Sequence, residues 1–531
     1  MLYQIGLTQL DEIRGETEHP TKRYVLLPRG RGGGFNEVVR QLRKSYQKVI
    51  QYLAYAALAI PALPPALFPF FQPYVFGKTT LFEIIAEAMA IVWLTSLLSQ
   101  KSAYADFCDT KKKKTIGIAL GVVVALFSLS TIFSADVAAS FWGSSARMDG
   151  FITFLHFVVF FFVLASALDA RAWRGCMRVA VGAGTLAALY GIAQWFDAPL
   201  VVASAGEIFG TLGNPSYLAL YLLFTVFFAY HLACREQKRD VAILFYCAGT
   251  IQIVALLLTQ VQAALLALSA GALVAALSHI RAHLAIKRGI IALGIAGVFI
   301  LLFSVSAHFA KLVSLSEGNA SLANRVAVWN IALSGISKKP LIGYGANNFE
   351  AYYLAQKNTG SVPLPATGET FDKPHNAYLE IAFSYGVIGL AAYLFFLWII
   401  LRRSWRVPAL RGALTGYLVF LFFFFDTFAS NLMFFFIAAS LFPSEESKSI
   451  TSEKTISPAM LVMSGVALTA IFFMFHFTPL YSAYFARQFL VHASATRSVD
   501  EAAKAQALRY TAFNTPFIER AILLAERAMK K

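Results

Sequence analysis

Long apolar runs alternate with short polar stretches along most of the chain. Three of the clearest are "IGIALGVVVALFSLSTIF", "FITFLHFVVFFFVLASAL" and "IALGIAGVFILLFSVSA". A helix of about 20 apolar residues crosses a hydrocarbon core of about 30 Å. A membrane barrel has short segments that alternate residue by residue, and these runs do not. The pattern predicts an all-α polytopic membrane protein with about 13 transmembrane spans. They fall near residues 48–69, 78–98, 115–134, 151–169, 177–195, 215–233, 241–258, 262–280, 288–307, 376–400, 412–426, 430–443 and 457–478. The pair 412–426 and 430–443 is short, which predicts bent or broken helices there.

Composition agrees with this class. Of 531 residues, 58% are hydrophobic, only 14% are charged, and 48 are phenylalanine. So little charge is unusual for a soluble domain. The net charge of +16 raises the question of a nucleic-acid partner. Its distribution answers it. Basic residues gather in the short loops 101–114, 169–178, 235–240, 279–288 and 402–411, mostly every second loop. That is the positive-inside pattern, so the charge reports orientation and no nucleic acid is expected. The basic segment 1–47 is then cytoplasmic. The first strong apolar run begins near residue 48, late for a cleavable signal sequence. Cys108, Cys176, Cys234 and Cys247 lack close metal-ligand spacing and read as free thiols.

Three parts follow. Residues 48–478 form the membrane domain. Within it, loop 308–375 lies outside and is far longer than a usual connector of about 4–6 residues. Its first part has helical texture, with Leu322, Val326, Trp329 and Ile331 able to share an apolar side. "PLIGYGANNF" reads as a turn punctuated by Pro340, Gly343 and Gly345. The loop is expected to fold back over the membrane as a cap with short helices. Residues 479–531 are amphipathic and alanine-rich, predicting a helical hairpin that the span count puts outside.

The polar residues of the outer side carry the candidate chemistry. Arg147 sits in "SFWGSSARMDG", Arg325 in "SLANRVAVWN" and His375 in "KPHNAYLE", with Lys338 and Lys339 a weaker set. Asp426, in "FFFFDTFASN", is the one charged residue inside a late span. A guanidinium is a planar fork suited to phosphate oxygens. An imidazole can take a hydroxyl proton near neutral pH. Together they suit transfer of a group from a lipid pyrophosphate to a hydroxyl. Each residue also has a plain reading. Arg147 can be a headgroup anchor, and Arg325 can pair with Glu317 or face solvent. His375 can cap a helix, with Asn376 as its N-cap. Asp426 can be an interhelical hydrogen-bond partner. Nothing resembles a P-loop, a zinc cluster or a Ser-His-Asp arrangement, and no cofactor is expected. A transporter would show an inverted repeat with broken helices, and no two-half symmetry is visible.

The run from "NRVAVWNIALSGISKKPLIGYGANNFE" through "KPHNAYLEIAFSYGVIGLAAYLF" resembles the O-antigen ligase and O-antigen polymerase-like family of bacterial membrane glycan transferases. The matching positions are Arg325, Pro340, Leu341, Gly343, Gly345, Phe349, His375, Asn376, Tyr378, Leu379, Gly386 and Gly389. Weaker likeness in "SFWGSSARMDG", "GTLGNPSYLALYL" and "FFFFDTFASNLMFFF" extends it over roughly residues 75–445. The resemblance implies a GT-C-like helical bundle in the bacterial inner membrane with its active face periplasmic. It implies an undecaprenyl-pyrophosphate-linked glycan donor and a lipid A-core, glycan or protein acceptor. It implies His375 as general base, Arg325 on the donor pyrophosphate, and no metal. Arg147, Gln262, Asn376, Tyr378, Gly343, Gly345 and Asp426 are the expected substrate-binding positions. One departure stands out: Gln262 in "LLLTQVQAALLAL" occupies the place of a family arginine and brings no charge. A polymerase joining repeat units on the same carrier is the alternative reading, and an inactive membrane module a further one.

Overall fold

The computed structural model describes residues 33–70, 72–99, 111–144, 146–199, 201–202, 206–278, 318–359, 370–442, 458–496, 501–508 and 522. Its regular elements are all helical. In chain order they are α1 (Gly33–Ala59), α2 (Phe76–Ser99), α3 (Lys111–Ile132), α4 (Val137–Trp142), α5 (Phe151–Ala167) and α6 (Ala170–Trp195). Then come α7 (Pro215–Ala233), α8 (Arg239–Leu258), α9 (Gln262–Leu277), α10 (Gly318–Lys338), α11 (Phe349–Thr359) and α12 (Ala377–Arg403). The last are α13 (Pro408–Leu421), α14 (Phe428–Ser440), α15 (Pro458–Ile471), α16 (Thr478–Thr496) and α17 (Glu501–Leu508). A π-helical turn, Phe472–Phe477, joins α15 to α16.

The expectation of about 13 spans is corrected. Among the described residues, seven helices are long and apolar enough to cross a membrane: Phe76–Ser96, Lys114–Ile132, Ala170–Trp195, Pro215–Ala233, Arg239–Leu258, Ala377–Arg406 and Met463–His492. Phe151–Ala167, Gln262–Leu277, Pro408–Leu421 and Phe428–Ser440 are apolar but shorter. At about 1.5 Å per residue, a helix of 17 residues or fewer falls short of a core of about 30 Å. Apolar runs had counted as spans because hydropathy does not see where a helix stops. Run 48–69 fails for a visible reason: α1 ends at Ala59, and Pro61, Pro64 and Pro65 turn the chain through two short 3-10 helices. The proposed span 288–307 lies outside the described residues. With the count corrected, loop sides can no longer be assigned by parity.

Helix α7 is the centre of the bundle. It is buried on every face, from Tyr217 and Leu218 to Leu232 and Ala233, as expected for a helix apolar all round. It starts sharply. Asn214 caps it, its side chain accepting from Ser216 N at 2.8 Å, and Pro215 occupies the first turn. Against it, α9 and α13 pack through small residues. A Cβ on Gly271 would collide with the Gly412 backbone, and one on Gly416 would press on the Ala267 carbonyl. Close backbone approach of this kind is how helices associate where no water is displaced.

Helix α12 is interrupted. Gly386 sits at φ 70°, ψ 176° inside it. The break frees backbone groups, and the turn before α11 satisfies them. Tyr344 N donates to Phe383 O at 2.9 Å, Gly345 N to Ser384 O at 2.8 Å, and Val387 N to Pro340 O at 2.8 Å. Ser130 Oγ of α3 adds a bond to Ser384 O at 2.7 Å. Broken backbone at membrane depth persists only with such partners. Gly343 and Gly345 both lie at positive φ here. A Cβ on Gly343 would strike the carbonyls of Phe383 and Ser384. "PLIGYGANNF" is therefore a plug docked into a broken helix, which is more than the expected surface turn.

The cap is also corrected in detail. α10 is a single helix of 21 residues and packs on α12. Its buried stripe is Asn324, Val328, Ile331, Ala332 and Gly335, while Val326 is exposed. Ile331 therefore does not share a face with Val326, whereas Trp329, one turn on from Val326, is only half-buried. Glu317 and the loop 308–317 lie outside the described residues. At the C-terminus, α15, the π turn and α16 follow without a gap across residue 478, and α16 packs on α17. The rest of the expected hairpin lies outside the described residues, as does most of segment 1–47. Cys176, Cys234 and Cys247 are free; Cys108 lies outside the described residues.

Gly386→Ala is expected to destabilise the protein by about 2 kcal/mol or more, since the new methyl meets the Leu341 carbonyl at a backbone angle strained for alanine. Gly182→Ala, on an open face of α6 with nothing within 4 Å, is the control and should be neutral or mildly stabilising. Thermal unfolding of the two variants in detergent checks this.

Candidate functional site

The site forms where α12 begins. Asn376 is the N-cap, and its side chain accepts from Tyr378 N at 3.0 Å and Leu379 N at 3.1 Å. His375 precedes it in the left-handed region, φ 54°. Such a residue is uncommon and held by its surroundings. The imidazole sits edge-on among Phe371, Phe424 and Phe425, with centroid distances of 5.6, 5.9 and 5.3 Å. Its Nδ1 lies 3.1 Å from the Lys373 carbonyl oxygen. A carbonyl only accepts, so Nδ1 carries the proton and Nε2 the lone pair in the neutral ring. Burial lowers the His375 pKa from its ordinary value. The Lys373 hydrogen bond and Asp372 oppose this, and the charges of Arg325 and Arg147 add to the lowering. The result is a neutral imidazole at pH 7 with a lone pair available.

The bend Phe422–Thr427 between α13 and α14 is the floor of the site. Phe424 O accepts from Ala377 N at 2.9 Å, which ties the start of α12 to the bend. Phe423 O accepts from Arg325 Nη1 at 2.7 Å. The Phe425 ring lies 4.5 Å from Arg147 Cζ on one side and 5.3 Å from the His375 ring on the other. Arg147, Arg325 and His375 are thus brought together by one short run of phenylalanines, although they span residues 147 to 375. Burial lowers the Arg325 pKa somewhat, yet a guanidinium starts so high that it stays charged.

Arg147 is already engaged. Its Nε donates to Asp372 Oδ2 at 2.8 Å and its Nη2 to Asp372 Oδ1 at 3.2 Å, a two-pronged pair. Nη1 bonds the Tyr217 hydroxyl at the start of α7. Burial would raise the Asp372 pKa, but the bond and charge of Arg147, helped by Lys373 and His375, bring it below its ordinary value. A guanidinium has five N–H donors, and these contacts use three. The side chain keeps 23% of its surface exposed, so the remaining donors can meet a ligand.

Beneath lies a cavity of about 120 Å³. Arg147, Asp149, Lys373, Glu380 and Asp426 all contribute to its wall. Lys373 is buried and pairs with Asp149 at 2.5 Å and with Glu380. Burial disfavours the ammonium, but the two carboxylates more than offset it and hold the Lys373 pKa above its ordinary value. Asp426 accepts from the Tyr417 hydroxyl at 2.8 Å and from Ser430 Oγ at 3.0 Å. Thr427 then caps α14 with a reciprocal bond to Ser430.

The remaining expected positions fall elsewhere. Asn376 spends its side-chain oxygen on the helix cap. The Tyr378 hydroxyl donates to Leu418 O at 2.8 Å, away from His375 and into the seam with α13. Gly343 and Gly345 serve the plug. Lys338 and Lys339 lie over the rings of Tyr352 and Tyr344. Gln262 is exposed at the start of α9. Because α9 and α13 run antiparallel, with Gly271 against Gly412 and Ala267 against Gly416, Gln262 lies toward the Leu421 end of α13. That is the end from which the phenylalanine bend departs.

Asp372, Lys373, Asp149 and Glu380 were not singled out from sequence. A signal existed: four charged residues placed within ten positions of a histidine or arginine, in a chain with 14% charge.

Residues 242–394 match the O-antigen ligase family. The matched stretch runs from α8 to the middle of α12. It contains Gln262, Arg325, both plug glycines and His375, whereas Arg147 and Asp426 lie outside it. It is narrower than the roughly 75–445 over which motifs suggested likeness. No curated protein matches the sequence. The chain is thus a polytopic membrane protein carrying an O-antigen ligase-like domain.

Lys373→Ala would leave the half-buried Asp149 and Glu380 without their cation, a loss of about 3 kcal/mol. The variant is expected to melt well below wild type in detergent. Adding Glu380→Gln to it should recover part of the loss.

Proposed function

We propose that this chain transfers a glycan from an undecaprenyl-pyrophosphate-linked donor to a hydroxyl of an acceptor, at the outward face of the bacterial inner membrane. One observation carries the reading. A neutral imidazole with a free Nε2 lone pair shares a phenylalanine floor with two guanidinium groups. His375 Nε2 takes the acceptor hydroxyl proton as that oxygen attacks the anomeric carbon. The bond from the anomeric carbon to the pyrophosphate oxygen breaks, and undecaprenyl pyrophosphate leaves. Arg325 and the free donors of Arg147 meet the negative charge that grows on it. Gln262 adds a neutral donor at the same end, where an arginine would have added charge. The donor's lipid tail stays in the bilayer and diffuses sideways, so no nucleotide-binding fold is needed.

The outward orientation is supported by charge, independently of any span count. α12 begins two residues after His375 and ends at Arg402 and Arg403, and α7 carries the Arg147 partner Tyr217 in its first turn and is followed by Arg235, Lys238 and Arg239. Both helices start at the site, and basic residues end the first and follow the second. Basic ends face the cytoplasm, which turns the site outward. The match of residues 242–394 to the O-antigen ligase family supports glycan transfer as the class of chemistry.

Transfer from purified lipid-linked glycan to candidate acceptors tests the proposal. His375→Ala should lose at least about 100-fold in rate, the usual contribution of a general base, with an unchanged melting temperature. Retained transfer would rule out the base role. Product on lipid A-core, on protein or on a second carrier-linked glycan identifies the acceptor, the last meaning a polymerase.

The pH profile gives a second test. The active form is the neutral imidazole, and burial depresses the His375 pKa. Activity therefore rises with pH through a value below about 6.5, the ordinary histidine value. Arg325→Gln removes a charge that lowers this pKa, so the acid limb should move to higher pH whatever happens to the maximal rate.

A further inference from the structure

A second cluster of ionisable side chains lies away from His375. Glu83 and Glu87 stand one turn apart on α2, His156 is on α5, and His476 is in the π turn. One ligand atom each from Glu87, His156 and His476 lie within 4.8 Å of one another. His156 Nε2 is 3.0 Å and His476 Nε2 2.9 Å from the same oxygen, Glu87 Oε1. His476 Nδ1 is 4.0 Å from Glu83 Oε2. Both histidines and Glu83 are buried.

The hydrogen bonds leave a conflict. His156 Nδ1 lies 2.8 Å from the Ile152 carbonyl, which can only accept, so Nδ1 bears a proton. In the neutral ring, Nε2 then points a lone pair at a carboxylate oxygen. Something positive must sit between them, either an added proton or a cation. The second oxygen, Glu87 Oε2, is buried with no hydrogen-bond partner among the described residues. An unmatched buried carboxylate oxygen calls for a partner such as an ion.

We propose that Glu87, His156 and His476 hold a divalent transition-metal ion of the zinc type, with Glu83 beside the other ring nitrogen of His476 as an outer carboxylate. Two imidazole nitrogens and carboxylate oxygens suit zinc, whereas magnesium and calcium prefer all-oxygen shells. Ligand atoms about 3.3 Å apart are what tetrahedral bonds of about 2.0–2.1 Å require, close to the spacing around Glu87 Oε1. The surrounding bonds are those of a metal site. The Nδ1 proton of His156 on a carbonyl fixes the ring, and Thr153 Oγ1 donates to Glu83 Oε1 at 2.6 Å. The ion would clasp the C-terminal helix to the core, where α15 otherwise meets α2 through the Thr95–Ser464 bond and apolar contact. A π turn, common at functional sites, is what brings His476 inward. The ligands are 69 and 320 residues apart along the chain, so no motif spacing announces them. The site is separate from the proposed transfer chemistry and stands or falls alone.

The full chain in detergent, stripped with chelator, is titrated with zinc by calorimetry and with cobalt(II) by visible absorption. About one ion per chain, a tetrahedral cobalt spectrum and a raised melting temperature reversed by chelator are expected. Glu87→Gln and His156→Gln should weaken binding at least about 10-fold, and His476→Cys, which keeps a ligand, should retain zinc. The wild-type titration stands even if a variant fails to fold. Absence of stoichiometric binding by wild type overturns the proposal and leaves a proton-sharing cluster. Binding unchanged in both glutamine variants also overturns it, since the ion would then sit elsewhere.

Discussion

A helix broken inside a membrane must find partners for the backbone groups it frees, because lipid offers none. The site of this protein is organised by two such breaks. At Gly386 the carbonyls of Phe383 and Ser384 and the amide of Val387 are satisfied by the plug Pro340–Gly345. At Phe422–Thr427 the chain leaves α13 and re-enters α14, and the carbonyls exposed there take Arg325 Nη1 and Ala377 N. The first break locks α10, α11 and their turn against α12. The second fixes where α12 starts, and with it His375.

The charges around these breaks are largely paired. Arg147 pairs with Asp372, and Lys373 with Asp149 and Glu380. At His375, burial and the charges of Arg325 and Arg147 lower the pKa, against the Lys373 hydrogen bond and Asp372. The phenylalanines of the bend limit water around these charges, which strengthens each interaction.

Much of this was legible locally. Apolar runs showed an all-helical membrane chain, because helix and hydropathy both act over about 20 residues. The motif around His375 and the glycine turn were readable, because caps and turns depend on a few neighbouring residues. The number of spans was not. Whether "FITFLHFVVFFFVLASAL" makes a full span depends on Gly150 and Leu168 ending α5 at 17 residues, and hydropathy is blind to that end. The buried stripe of α10 was misjudged for a related reason: which of several possible apolar faces is buried depends on what packs there, and α12 was not yet in place.

The sequence alone determined the solvent, the helical class and the types of group at hand: arginine forks, one histidine at a helix start, and glycines that punctuate a turn. These follow from local chemistry that any neighbour leaves unchanged. Tertiary structure alone decided which groups meet. It put Arg147 on Asp372, 225 residues away, shared Phe425 between a guanidinium and an imidazole, gave Tyr378 to the helix seam, and gathered Glu87, His156 and His476 at one point. Contacts across such separations depend on how helices cross and where they end, and no short stretch of chain encodes that.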